Sequence, residues 1–194
     1  MMRRILMVCT GNTCRSPMAE ALLRDWARRT GTEMEVRSAG VSAQSGMPIS
    51  ANAAETLKRG NVALPGASTR LDRGDVEWAD LILTMTASHK RAIAERYPHA
   101  SSKTYTLKEY ARQSEALLPD LQEMDRLHAE FQVALALGKP FPEQDKRRLT
   151  ELSRRAPDLD IADPYGGPLA VYEACAREIR ESIERAFGGR QAAD

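Results

Sequence analysis

The stretch Ile5-Leu-Met-Val-Cys9-Thr-Gly-Asn-Thr-Cys-Arg15-Ser-Pro-Met-Ala-Glu20 decides how this chain folds. Ile5 to Val8 is a short apolar run of the kind that fills a parallel sheet. A tight polar loop follows, and then a helix opens. Ser16 is expected to cap that helix, and Pro17 to take its first position, where a missing N–H costs nothing. The loop is thereby aimed at a helix N-terminus, whose free N–H groups and dipole attract an oxyanion.

The side chains add chemistry to that shape. Cys9 at the strand end and Arg15 six residues later make the spacing Cys-x5-Arg-Ser. A loop that curls Thr10, Gly11, Asn12, Thr13 and Cys14 around a phosphate holds three oxygens and leaves the phosphorus open from below, where Cys9 lies. Arg15 grips two oxygens with its planar fork, which Lys does less well. The same positive surroundings favour the thiolate, the form of cysteine that attacks. Ser16 is placed to donate its hydroxyl proton to that sulfur. Gly11 allows the turn, and Asn12 tolerates a left-handed backbone. A lone Cys-x5-Arg is more often a buried cysteine near a surface arginine; the strand before it and the Ser-Pro after it tip the reading to a phosphate loop.

Composition narrows the class. The 194 residues suit one domain with a proper core, and an aromatic share of 5% rests that core on Leu, Ile, Val, Ala and Met. A formal net charge of +1 argues against a nucleic-acid or membrane-surface partner. No apolar run approaches the roughly 20 residues that span a bilayer. The basic start Met1-Met-Arg-Arg4 leads into an apolar run too short for a signal peptide, so a cytoplasmic protein is expected. Three cysteines fit a reducing compartment, and no cluster with zinc-ligand spacing accompanies them, so no metal is expected.

Along the chain, strand-like and helix-like stretches alternate. Pro17 to Thr30 reads as a helix with Met18, Leu22 and Trp26 on one face and Gly31 at its end. Glu33 to Arg37 is a second strand, followed by Ser38-Ala-Gly40. Ala51 to Arg59 and Asp72 to Trp78 are helices, with a short extended piece from Val62 to Leu64 between them. Asp80 to Met85 is a buried strand, Ala87 to Tyr97 a helix, and Lys103 to Leu107 a fourth strand. His89 reads as a surface or capping residue. This alternation implies an α/β fold with a parallel sheet wound on both sides.

Residues from about 112 to 158 form a helical insertion. Leu121, Met124, His128, Phe131 and Leu135 make a stripe on a helix starting at Pro119 and ending at Gly138, and Glu143 to Ala156 makes a second helix. Such a hairpin is either a lid or docking arm over the active-site mouth, or a structural addition packed elsewhere. Leu169 to Phe187 is the last helix, with Tyr172, Ala176, Ile179 and Ile183 inward and Cys175 beside them as inert packing. Gly188-Gly189 ends it, and the last residues are expected to fray.

An acid is needed to protonate the departing group. Asp163 is the candidate: Pro164 biases its backbone to an extended form, and Gly166-Gly167 lets the loop fold close to a substrate. Asp158 and Asp160 are nearby fallbacks. Cys9 would displace the leaving group to form a cysteinyl-phosphate, and water activated by Asp163 would then release inorganic phosphate.

Val8 to Glu20, together with Arg37-Ser-Ala-Gly40, Ala79 to Thr86, Thr106-Leu-Lys-Glu-Tyr110 and Asp163-Pro-Tyr-Gly-Gly167, resembles the low-molecular-weight protein tyrosine phosphatase superfamily. The wording is similar to its bacterial protein arginine phosphatase branch. The resemblance implies a four-stranded parallel sheet in the order 2-1-3-4 with helices on both faces, in a single domain spanning 1–194 and carrying the helical insertion. It implies phosphorylated proteins as partners, no cofactor, and Ser38 as a support of the loop through Asn12. It also implies a role for Thr13. Tyrosine phosphatases tend to carry a bulkier aliphatic residue there and arginine phosphatases a threonine, so phosphoarginine is the expected substrate and phosphotyrosine the alternative. Cys14 either forms a protective disulfide with Cys9 under oxidation, as family members do, or only packs. Arsenate reductase, on a related scaffold, ranks low because its relay needs a further reactive cysteine and only Cys175 remains. A non-catalytic phosphoprotein-binding module would not need Cys9, Arg15 and Asp163 together.

Overall fold

The computed structural model describes residues 2–112, 118–155 and 157–188. Its strands are β1 (Arg3–Cys9), β2 (Met34–Gly40), β3 (Leu81–Thr84) and β4 (Thr104–Thr106). The helices are α1 (Arg15–Thr30), α2 (Ala51–Arg59), α3 (Arg73–Trp78), α4 (Ala87–Arg96), α5 (Leu107–Ala111), α6 (Leu118–Ala136), α7 (Glu143–Arg155) and α8 (Leu169–Ile183). The chain divides into two compact units, residues 1–111 with 159–194, and residues 112–158.

In the first unit the four strands are parallel and ordered β2-β1-β3-β4, as expected. β1 sits inside the sheet, paired with β2 from Arg3–Met34 to Cys9–Gly40 and with β3 from Ile5–Leu81 to Val8–Thr84. Successive side chains of a strand point to opposite faces, and here the alternation sorts the core into two layers. Ile5 and Met7 join Met18, Leu22 and Trp26 of α1 and Tyr172 and Ile179 of α8. Leu6 and Val8 join Val76 of α3 and Ile93 of α4 on the other face. A strand covered on both faces needs an apolar residue at every position, which is why Ile5 to Val8 shows no polar alternation.

Several boundaries differ from the sequence reading. Ser38 to Gly40 are the last residues of β2 rather than a segment following it, and Val62 to Leu64 form no strand. α1 begins at Arg15, with Cys14 at its N-cap position, so Ser16 lies inside the helix and caps nothing. Its hydroxyl is engaged by Cys9 and Asn12 instead. Gly31, at φ 68°, closes α1 with its N–H on the Ala27 carbonyl, a left-handed C-cap that glycine adopts without strain. α8 runs on into a wider turn over Glu184–Gly188. Gly189 and the tail after it lie outside the described residues, as does Ala156.

The second unit closes its own small core. Leu127, Phe141 and Leu152 are buried together, with Met124, Phe131, Ala134 and Leu149 packed around them. Of the stripe read from sequence, Leu121 is buried and Met124 and Phe131 pack on this core, but Leu127 holds the centre in place of His128, and Leu135 is exposed. Gly138, at φ 62°, turns the chain between the helices, and Arg148 pairs with Glu123 across them at 2.7 Å. Among the described residues, no helix is long and apolar enough to cross a membrane.

Candidate active site

Cys9 ends β1, and α1 starts at Arg15; the five residues between form a loop at the C-terminal edge of the sheet, where open α/β sheets take ligands. The loop's carbonyls are turned away. Those of Cys9, Thr10 and Thr13 accept from the N–H groups of Val41, Ser42 and Ser50 at 2.9, 3.0 and 2.8 Å, and that of Cys14 accepts from Met18 at 3.2 Å. Among the described residues no peptide bond is cis, and in a trans peptide the N–H points opposite to the carbonyl. The N–H groups of Thr10, Gly11, Cys14 and Arg15 are thereby aimed toward the space that the loop encloses. Asn12 bends the loop at φ 53°, a left-handed conformation that an asparagine tolerates.

Buried polar groups hold this shape. The Asn12 amide nitrogen donates to Ser16 Oγ and to Ser38 Oγ, each at 2.8 Å, and its oxygen accepts from the Thr69 N–H at 2.7 Å. Ser16 Oγ lies 2.9 Å from Cys9 Sγ. Ser38 donates to Glu20, which Arg24 holds from its other oxygen. Gly40 packs behind the loop, where a Cβ would run into the Thr10 carbonyl.

Arg15 is buried and doubly tied. One terminal nitrogen donates to the Ile161 carbonyl at 3.2 Å and the other to Asp163 Oδ2 at 2.6 Å. Its guanidinium thus joins the loop to the segment before α8. That segment hangs from β3, with Ile161 N–H on the Met85 carbonyl at 2.7 Å. Asp163 is half exposed and accepts from the Tyr165 N–H with its other oxygen. Asp160, one of the fallback acids, accepts instead from the Ala87 N–H at the start of α4.

Cys14 Sγ lies 3.4 Å from Ser50 Oγ and 3.6 Å from the Tyr172 hydroxyl, and Cys9, Cys14 and Cys175 are all free thiols. Burial pushes the Cys175 thiol up to about 12, with Glu178 adding to it. Such a sulfur is a poor member of a thiol relay.

His89 departs from the sequence reading. It is buried at 5% exposure, with Nε2 2.8 Å from Thr10 Oγ1 and Nδ1 2.9 Å from Thr86 Oγ1. Burial, and secondarily the charge of Arg15, push its imidazole down to about 4, so it is a neutral bridge between the loop and the start of α4. A histidine one turn into a helix on an edge-facing loop carries no sequence mark of that contact. Thr10 and His89 are 79 positions apart.

Comparison with known proteins follows the same lines. The family model for low molecular weight phosphotyrosine protein phosphatase matches residues 4–137. Protein-arginine-phosphatases of Bacillus subtilis and Geobacillus stearothermophilus are 46% and 35% identical over 93% and 94% of this chain, each covered over 92% of its own length. The low molecular weight protein-tyrosine-phosphatase PtpB of Staphylococcus epidermidis is 34% identical over 94% of this chain and 95% of its own. A solved structure of the arginine phosphatase YwlE, a mutant with a phosphorylated active-site serine, has a TM-score of 0.72 at 31% identity, covering 98% of this chain and 97% of that one. With the Cys9 loop, the parallel sheet and relatives alike from end to end, the chain belongs to the low-molecular-weight phosphotyrosine protein phosphatase family.

Proposed function

We propose that this protein removes phosphate from phosphoarginine residues of proteins, in one phosphatase domain that carries residues 112–158 as an insertion. The observation that carries the reading is the meeting of Cys9, Ser16 and Arg15 at one loop with Asp163 drawn to it, 2.6 Å from Arg15 across 148 positions of sequence.

Catalysis runs in two steps. The Cys9 thiolate attacks phosphorus in line, a sulfur–phosphorus bond forms, and the phosphorus–nitrogen bond of phosphoarginine breaks. Asp163 gives its proton to the departing guanidinium nitrogen. The loop N–H groups and the Arg15 fork take the charge of the three equatorial oxygens. Asp163, now a carboxylate, accepts a proton from water as it attacks the cysteinyl-phosphate, and inorganic phosphate leaves with Cys9 restored as thiolate. The phosphorylated serine in the YwlE mutant supports a covalent phosphoryl step at the equivalent nucleophile.

Substrate choice rests on Thr13 and on the two full-length arginine-phosphatase relatives. A small hydroxyl beside the phosphate orients water and accommodates a polar guanidinium, whereas an aliphatic wall suits a phenyl ring. The Staphylococcus epidermidis relative favours a second reading, a protein tyrosine phosphatase of the same length. Parallel assays on phosphoarginine and phosphotyrosine peptides separate the two. The wild type is expected to prefer phosphoarginine in kcat/KM, and Thr13→Ile to move the preference toward phosphotyrosine. Equal or reversed wild-type preference would replace the first reading by the second.

A further inference from the structure

Lys108, in the stretch Thr106-Leu-Lys-Glu-Tyr110, stands outside the phosphate loop but reaches the segment that leads into Asp163. Its side chain, on α5, is only 15% exposed. The ammonium donates to the Asp160 carbonyl at 2.5 Å and meets Glu178 Oε1 of α8 at 2.5 Å. The other oxygen of Glu178 accepts from the Ala162 N–H at 3.4 Å. Lys108, Glu178 and the backbone from Asp160 to Ala162 therefore close a ring.

Two peptide groups run through that ring, and each is held at both ends. In the first, the Ile161 N–H donates to the Met85 carbonyl at 2.7 Å while Lys108 takes the Asp160 carbonyl. In the second, Arg15 donates to the Ile161 carbonyl at 3.2 Å while Glu178 takes the Ala162 N–H. A peptide is planar, so bonds at its two ends fix how the plane is turned about the chain. The second plane sets the direction in which the chain enters Asp163. An ion pair that only fastened α5 to α8 would need no bond to this backbone, yet both of its members make one. Removing Lys108 would release the first plane at its Asp160 end and free Glu178 to swing away from Ala162.

We propose that Lys108 and Glu178 are positioning residues for the general acid. Lys108 holds Glu178 and the Asp160 carbonyl, and together they set the backbone from which Asp163 reaches the departing atom. The proposal rests on Asp163 being that acid. It is independent of the choice between phosphoarginine and phosphotyrosine.

A misplaced acid penalises only leaving groups that need a proton, whereas damage to the phosphate loop slows every substrate. Phenyl phosphate and 2,4-dinitrophenyl phosphate separate the two. A phenol, with a pKa of about 10 like a tyrosine side chain, departs badly as an anion. Dinitrophenolate departs well without a proton. The ratio kcat/KM covers the steps up to loss of the phenol, so breakdown of the cysteinyl-phosphate does not enter. In the full-length protein, Lys108→Met removes the ammonium, and Glu178→Gln keeps one oxygen for Lys108 or for Ala162 but not for both. Each is expected to lower kcat/KM for phenyl phosphate about tenfold, and for the dinitrophenyl ester by no more than about twofold, out of the roughly 100-fold or more that an acid supplies. Asp163→Asn is the reference and should show the same selectivity at full size. Equal loss on both esters, or no loss on either, in a folded Lys108→Met or Glu178→Gln protein overturns the proposal. If Asp163→Asn itself loses both equally, the acid assignment falls and the positioning role with it. If Asp163→Asn is selective and the other two variants are not, only the positioning role falls. Should Lys108→Met fail to fold, Glu178→Gln, at a side chain one-third exposed, decides alone.

Discussion

Gly40 shows how little room the loop has. A Cβ there would press on the Thr10 carbonyl and stand 2.9 Å from the Asn12 amide nitrogen, both backbone atoms of the loop itself. Backbone cannot swing aside as a side chain does, so Gly40→Ala has to displace the loop. A shift of about 1 Å at reacting groups costs on the order of 100-fold in rate, and overpacking of this kind costs about 1–3 kcal/mol in stability. Hydrolysis of an aryl phosphate and a urea titration are the measurements; a Gly40→Ala protein with wild-type kcat would show that the loop tolerates the shift. Arg15 is the second test at this scale. Arg15→Lys keeps a charge but loses the fork that holds Asp163 and is proposed to hold phosphate, so kcat is expected to fall by about two orders of magnitude or more, as when a preorganised donor is removed. Cys9, Asn12, Arg15 and Asp163 were legible in the sequence because local spacing or a turn signal exposes each one. Glu20, His89 and Thr69 were not, because what matters about them is a contact made 18, 79 and 57 positions away. Ser16 misled for a related reason: its proximity to Pro17 suggested a cap, while the sulfur seven positions back claimed the hydroxyl.

Between elements, the imidazole of α4 couples the loop to the end of β3. His89 sits neutral in the folded protein, its imidazole pushed from the ordinary 6.5 to about 4, while the unfolded chain takes up the proton near 6.5. The unfolded state therefore binds more protons throughout the window from 6.5 down to 4. Its contribution to stability is complete above that window and is lost as pH falls through it. Between pH 7 and pH 5 the loss amounts to about 2 kcal/mol. Urea denaturation at the two pH values should show this decrement, and His89→Gln should remove most of it. An equal decrement in the variant would place the acid sensitivity elsewhere. The strands and helices themselves were read well, because apolar runs and i, i+4 stripes mark buried faces directly. α6 is the exception. Its apolar residues outnumber the places in a two-helix core, so the stripe could pass through His128 and Leu135 or through Leu127 and Ala134, and packing against Leu149 and Leu152 of the partner helix selects the second pair.

At the scale of the whole molecule, the two units have separate apolar cores. Replacing residues 116–155 by a short Gly/Ser bridge is accordingly expected to leave the sheet folded and aryl phosphate hydrolysis within a few-fold of wild type. Circular dichroism and the same hydrolysis assay check both points. Comparison with a phosphorylated protein substrate then distinguishes the uses of the hairpin: a docking arm costs only protein dephosphorylation, whereas a lid or brace costs both activities.

The tie between Arg15 and Asp163 also has a consequence for synthesis. During synthesis the proposed nucleophile and Arg15 are made well before the proposed acid, which lies 148 positions behind the arginine it meets. A nascent chain, or one cut short by premature termination, thus carries the cysteine without a finished catalyst. Full activity is therefore expected only once Asp163 has been made and has met Arg15.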